Sequence, residues 1–423
     1  MPFRHRNLRL YLWFQIFFNA RFYYPVLAIL FLDLGLTLDQ FVMLNAIWAA
    51  TILVAEVPSG ALADILGRKT LVVVSAVLML LEMGFLLFAP LDGGTLLFAI
   101  CALNRVLSGL SEAAASGADQ ALAYDTLVEA DEEDLWDDAL ATTMRWQSAA
   151  MIIAVVLGAA CYDPSFLNQV FGTDLTQDQT LRFPLILCGL QALGALLTAL
   201  RFEEKRPASG NRTRVKEVWV KTFEAAQWVV TNKAALTIVT GGLVLDALVR
   251  NFATINSSYY RLISIPEKYY GLIAAAVSLL GLGVPFLAKR LARRTSLATT
   301  FSIGGAWILL SLVLLTPAWN YWGVVPTILL MGALSYTSFL VSRYLNQVTS
   351  SDQRATVLSV KGLFFNLSYG LISLLFSAAV AINRGSLSES QAFKATLAYQ
   401  PYLFALLFVV WFLLRRPNKL ETR

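Results

Sequence analysis

The stretch Gly60-Ala61-Leu62-Ala63-Asp64-Ile65-Leu66-Gly67-Arg68-Lys69 joins the end of one long apolar segment to the start of another. A connection of this kind between two membrane helices has to be short, tight and cationic on its cytoplasmic side. Gly60 and Gly67 allow close backbone approach and unusual dihedrals. Asp64 stands where the chain leaves the hydrocarbon, and Arg68 and Lys69 hold the loop in the cytoplasm.

Composition points the same way. Of 423 residues, 57% are hydrophobic and only 14% charged, and the mean hydropathy of +0.62 lies far from the soluble average. The length divides into about twelve spans of roughly 20 apolar residues with short loops. These fall near 8–35, 40–63, 69–90, 94–124, 137–161, 180–201, 234–262, 268–289, 296–316, 321–345, 354–382 and 395–414. Between Arg294 and Arg343 there is no charged residue, and Pro317-Ala318-Trp319-Asn320 folds that run into a helical hairpin. The basic N-terminus, Met1 to Arg9, lacks a following small-residue cleavage site and reads as the start of a retained first helix.

Positive charge sets the orientation. Arg4, Arg6 and Arg9 precede span 1, Arg68 and Lys69 follow span 2, and seven cations from Arg201 to Lys221 lie between spans 6 and 7. Four more follow span 8, and Arg415, Arg416, Lys419 and Arg423 close the chain. Both termini and the central linker are therefore expected in the cytoplasm. The net charge of +5 follows from this topology and from contact with anionic membrane lipid, which disfavours a nucleic-acid partner. His5 is the single histidine, so a transition-metal site is not expected, and nothing calls for a cofactor. For Cys161 and Cys188 an outer disulfide and buried free thiols both stand as readings, with the apolar setting favouring thiols. Residues 202–218 are polar, whereas Trp219–Thr231 is amphipathic and suits a helix lying on the inner membrane surface.

The order Gly-x-Leu-Ala-Asp-x-x-Gly-Arg-Lys closely resembles the signature loop between helices 2 and 3 of major facilitator superfamily transporters, with Ile65 where that family usually carries a cation. The likeness is to bacterial proton-coupled drug and metabolite efflux members. An eight-residue echo, Leu287 to Arg294, aligns without gaps on Leu62 to Lys69 at the equivalent loop between spans 8 and 9. The resemblance implies an all-α membrane protein with twelve transmembrane helices in two pseudo-symmetric six-helix bundles. Residues 1–201 would form the N-terminal bundle, 202–233 a cytoplasmic linker and 234–423 the C-terminal bundle, with binding near the midplane. Asn104-Arg105-Val106-Leu107-Ser108-Gly109 resembles a second family pattern, whose Arg is proposed to assist proton transfer. The Gly-Pro pair that marks helix 5 of antiporters is absent: Met151–Ala160 contains only Gly158.

Ionisable residues within a span are costly unless paired or hydrated, so each is a functional candidate. Arg21, Glu82, Arg105 and Asp246 lie roughly 15–20 Å along their spans, close to the midplane. Glu56, Glu112, Arg145 and Lys361 lie nearer the cytoplasm. Arg105, Glu112 and Asp119 recur every seven residues, which on one helix makes a polar stripe. Asp246 and Arg250, at i and i+4, can pair locally. Glu82 receives no role, because the third helix is usually peripheral. The substrate and proton path is therefore read as Arg21, Arg105, Glu112, Asp246 and Glu56, with Asn366 and Tyr336 as polar and aromatic contacts. By the resemblance, Gly60, Asp64, Gly67 and Arg68 form a gate that closes against the start of helix 11, with Asp125 as partner for Arg68.

Cations outnumber acidic partners near the midplane, which favours an anionic or zwitterionic substrate. The function expected is a proton-coupled exporter of a small organic compound, monomeric, in a bacterial inner membrane. The alternative is a proton-coupled importer or a uniporter of an organic anion. No nucleotide loop or catalytic constellation suggests an enzyme.

Overall fold

The computed structural model describes residues 2–91, 93–204, 215–350 and 353–415. Among these, twelve helices are long and apolar enough to cross a membrane. Spans 1 to 6 are Arg6–Asp33, Leu38–Glu56, Arg68–Leu87, Gly94–Val128, Glu133–Tyr162 and Gln177–Leu200. Spans 7 to 12 are Lys233–Leu262, Glu267–Arg294, Leu297–Leu315, Val324–Val348, Thr356–Arg384 and Glu389–Leu414. The described residues contain no strand. A linker helix, Val215–Thr231, buries Ala225 and Val229 and exposes Trp219, Phe223 and Val230.

The helix ends follow local chemistry. Asn232, Ser296 and Asp163 each accept a hydrogen bond from a backbone N–H three residues on, and Ser388 with Gln391 forms a capping box. At the end of span 3 a cation does the converse work. Arg182 donates to the carbonyls of Leu87 (2.8 Å) and Ala89 (3.3 Å), where the helix leaves carbonyls unpaired.

The chain forms two compact units whose membership departs from a clean cut at the linker. Unit 1 comprises 1–36, 47–219 and 267–274, and unit 2 comprises 37–46, 220–266 and 275–423. The first turns of spans 2 and 8 thus pack with the other half of the sequence. Within unit 1, the Lys268 N–H donates to Asp163 Oδ2 (3.1 Å), and Gly271 abuts the backbone of Val155 and Val156. Within unit 2, the Leu38 N–H donates to Glu389 Oε1 (3.1 Å) and Arg384 pairs with Asp39 at 2.6 Å. Ser377 Oγ also donates to the Asp39 carbonyl (2.8 Å). In both places a carboxylate from elsewhere supplies the acceptor that the first turn of a helix needs.

Candidate functional site

Span 1 is not continuous. Its helix stops at Asn19 and resumes as a short turn at Tyr24–Val26 and a helix at Leu27–Asp33. Pro25 is the local cause: it has no N–H to return to the Arg21 carbonyl, which instead accepts from Tyr24 at 3.4 Å. The freed backbone is satisfied by neighbours, since the Phe22 N–H donates to Cys188 Sγ of span 6 (3.2 Å). Gly158 of span 5 lies against the Phe22 carbonyl so closely that no Cβ fits there.

Arg21 sits in this break. Its Nη1 donates to Glu82 Oε1 at 2.9 Å, with side chains 5% and 0% exposed, and its guanidinium lies 5.4 Å from the Phe18 ring centroid. Glu82, left without a role in the sequence reading, is the buried counter-charge of Arg21, carried by span 3. The network continues to span 4. Asn104 Nδ2 donates to the Glu82 carbonyl (2.8 Å), and Asn104 Oδ1 accepts from Arg105 Nε (3.0 Å) and Nη2 (2.9 Å). Arg105 stacks at 4.9 Å on Phe31, and no described carboxylate forms an ion pair with it. Glu82 is thus the counter-charge of Arg21, whereas Arg105 is held by the neutral partners Asn104 and Phe31.

The seven-residue stripe is interrupted. Span 4 consists of Gly94–Ala115 and Ala118–Val128, separated at Ser116 and Gly117, where Gly117 has φ +78°. That left-handed conformation suits glycine. Arg105 and Glu112 share the first helix, whereas Asp119 opens the second. Asp119 is buried, accepts from Gln15 of span 1, and accepts from the Gln120 N–H at 2.6 Å. Gln15 in turn accepts from Asn19 (2.8 Å). Asp119 therefore ties span 1 to the re-entry of span 4 and leaves the stripe. Glu112 is exposed. Glu56 is half-buried with Oε2 unpartnered, and lies within electrostatic reach of Glu112.

The stretch 60–69, read from sequence as a loop, is helical up to Leu66 and again from Arg68, so the turn is Gly67 alone; it has φ +98°, and an added Cβ would lie 2.7 Å from Glu204 Oε2. Glu204 accepts from the N–H groups of Arg68 (2.8 Å) and Lys69 (3.1 Å), capping span 3 from the far end of unit 1. The Arg68 guanidinium pairs with Asp125 and donates to the Ala121 carbonyl (3.1 Å). Gly60 has open space around it. The side chain of Asp64, and those of Asp352, Arg354 and Ala355 at the start of span 11, lie outside the described residues. Glu204 was not singled out from sequence, since nothing local marks it. Glu204→Ala is expected to lower unfolding stability by about 1 kcal/mol, the usual cost of a lost cap. Thermal unfolding in detergent checks this, and an unchanged midpoint would mean water replaces the carboxylate.

In unit 2, Asp246 is 6% exposed and receives two hydrogen bonds from Arg250, at 2.7 and 3.0 Å. Arg250 and Lys361 lie 5.9 and 5.3 Å from the Phe365 ring centroid, so here two cations accompany one carboxylate. Asn366, next to Phe365 on span 11, is half-buried. Tyr336 is placed differently from expectation: it is fully buried, its hydroxyl donates to the Thr300 carbonyl (2.9 Å), and its ring packs on Trp307 and Gly304. It joins spans 9 and 10, and its polar atom is already used. The three cysteines are free thiols. Among the described residues, no group of three His, Cys, Asp or Glu is placed to hold a metal.

A family model described as Major Facilitator Superfamily matches residues 12–371. No curated protein matches by sequence. Solved structures do. A crystal structure of the nucleoside transporter NupG aligns with TM-score 0.70 at 13% identity, covering 96% of this chain and 98% of that one. A D-xylose-proton symporter aligns with TM-score 0.69 at 11% identity, covering 97% of each. A bacterial homolog of the human lysosomal transporter Spinster aligns with TM-score 0.70 at 14% identity, covering 98% and 97%. At such identities the likeness is one of fold.

Proposed function

We infer that this chain, which belongs to the Major Facilitator Superfamily, is a secondary transporter carrying a small organic anion or zwitterion by alternating access, coupled to protons and in the export direction. Its fold is that of transporters and not of an enzyme. The observation that carries the anionic cargo is Arg105: 5% exposed, held by Asn104 and Phe31, and without a carboxylate among the described residues. A buried charge left uncompensated is costly, and an incoming anion at this point offsets that cost in low dielectric. Arg21 is less available, because Glu82 already neutralises it.

Glu112, two turns from Arg105 on the same helix, is the proton carrier in this reading, with Glu56 beside it. One proton on either relieves the repulsion between them. In unit 2, Asp246 with Arg250 and Lys361 is the corresponding charged centre. Gly60, Asp64, Gly67, Arg68 and Asp125 belong to the gate, whose cationic segment is held by Glu204. The distribution of Lys and Arg supports both termini in the cytoplasm, and we take the chain as a monomer in a bacterial inner membrane.

The test is proton flux in proteoliposomes challenged with organic anions, comparing wild type, Glu112→Gln and Arg105→Ala. Substrate-triggered proton movement should fall at least about tenfold in both variants. Substrate movement without proton flux in wild type would reject coupling and leave a uniporter. Accumulation of substrate on the side of the proton-rich compartment would establish export, and the reverse import.

A further inference from the structure

An open pocket of about 610 Å³, called the cavity below, lies within unit 2 between spans 8 and 10, with Leu334 and Phe339 as its apolar lining. Its lining includes Ser335, Ser338, Ser342 and Arg343 of span 10 and Gly281 and Pro285 of span 8. None of these residues belongs to the charged centres above. The volume is that of a small-molecule site, for which roughly 300–1,000 Å³ is usual.

The two walls differ in chemistry. On span 10 the serines stand at i, i+3 and i+7 with Arg343 next in sequence, so they share one face about 10 Å long. Hydroxyls and a guanidinium within a span face water or protein in preference to lipid. Arg343 Nε is buried without a hydrogen-bond partner, and no described carboxylate forms an ion pair with Arg343. On span 8, Pro285 has no N–H to give to the carbonyl four residues back, which is that of Gly281. Gly281 itself lies close to the serine row: a Cβ there would come 3.3 Å from Ser335 Oγ. The cavity therefore offers a strong cationic donor fork at one end, a row of hydroxyls along its length and a backbone acceptor opposite.

We propose that this cavity is a binding subsite for a small hydroxylated anion, with the oxyanion on Arg343 and the hydroxyl groups along Ser335, Ser338 and Ser342. A guanidinium matches the planar or trigonal oxygens of carboxylate and phosphate. Serine hydroxyls exchange hydrogen bonds with ligand hydroxyls, as donor or acceptor. A neutral polyol would leave Arg343 uncompensated, and a purely apolar anion would leave the serine row unmatched. The proposal deepens the reading of the chain as an anion transporter and rests on it for its purpose, but its test needs no transport.

Ser338→Cys in the purified full-length chain gives a thiol inside the cavity, with the unsubstituted protein, whose own thiols are buried or half-buried, as blank. With each reagent's rate taken relative to its rate on a free small thiol, the anionic sulfonatoethyl methanethiosulfonate should react about tenfold faster than its trimethylammonium counterpart, because the local field concentrates anions. Adding Arg343→Gln should bring the two rates to parity. Gluconate should slow labelling at concentrations where glucose does not, and Arg343→Lys should keep the rate preference while weakening gluconate protection. Glycerol 3-phosphate in place of gluconate separates phosphate from carboxylate recognition. Equal rates for both reagents with Arg343 present, an unreactive thiol in the Ser338→Cys protein, or failure of both anions to protect would each overturn the proposal. Absent transport in proteoliposomes with this labelling pattern intact would instead reject the transport reading and leave the subsite standing.

Discussion

Glu82→Ala is expected to destabilise the protein by about 3–5 kcal/mol, the range for removing one partner of a buried ion pair. The reasoning rests on where Arg21 would be left. Its side chain is 5% exposed, its Nε already lacks a partner, and Glu82 is its one ion-pair partner among the described residues. Neutralising both members removes the stranded charge, so Arg21→Ala with Glu82→Ala should be more stable than Glu82→Ala alone. Equilibrium unfolding of the four proteins in one detergent, treated as a double-mutant cycle, reads the coupling. Additive losses, with the double variant the least stable, would mean that the two side chains act independently. Glu82→Gln provides a milder comparison, since its amide keeps an acceptor for Arg21 but no charge.

The second large effect is expected at Gly158. A Cβ there collides with the Phe22 backbone, which has no rotamer to turn away. Overpacking usually costs about 1–3 kcal/mol, and a backbone obstacle puts Gly158→Val at or beyond the upper end. Gly189→Ala in span 6 is the matched control: nothing lies within 4 Å of its added carbon, and it should stay within about 0.5 kcal/mol of wild type. The consequence extends past stability. Moving Phe22 moves Arg21, the preceding residue, so Gly158→Val should also abolish the coupling between Arg21 and Glu82. A Gly158→Val protein with wild-type unfolding and intact coupling would show that spans 1 and 5 can separate at this point without consequence.

The number and type of spans were legible because hydropathy over about 20 residues is a local property, and charge-free runs such as that between Arg294 and Arg343 leave few alternatives. The break between spans 2 and 3 was legible in part, since Gly67 and the cations after it are contiguous in sequence. What sequence left hidden depends on neighbours. Glu82 finds Arg21 across 61 positions, a pairing no periodicity announces. The stripe of Arg105, Glu112 and Asp119 failed because seven-residue spacing implies one face only where the helix continues, and Gly117 breaks it. Pro25 carried a similar signal for the break at Arg21, visible in sequence as a proline inside an apolar span. Tyr336 was read as a cavity contact from its type, but its packing on Gly304 and Trp307 decides otherwise. The serine row with Arg343 had the right spacing to be found. Serines in a span, however, suit helix packing as well as ligand binding, so the spacing alone does not mark a site.

The exchange of first turns between the units has a consequence for how the chain is made. Asp39 and Leu38 emerge from the ribosome early, yet their partners Ser377, Arg384 and Glu389 follow 338 to 351 residues later. At usual translation speeds that is a delay on the order of tens of seconds. During it, the start of span 2 has neither its acceptor nor its counter-ion, and must rest against translocon, lipid headgroup or water. Unit 1 likewise stays open at Asp163 until Lys268 has been synthesised. Biogenesis therefore cannot proceed as one finished half followed by another: each unit is sealed by a segment inserted with its counterpart, and the sealing of the second waits for span 12.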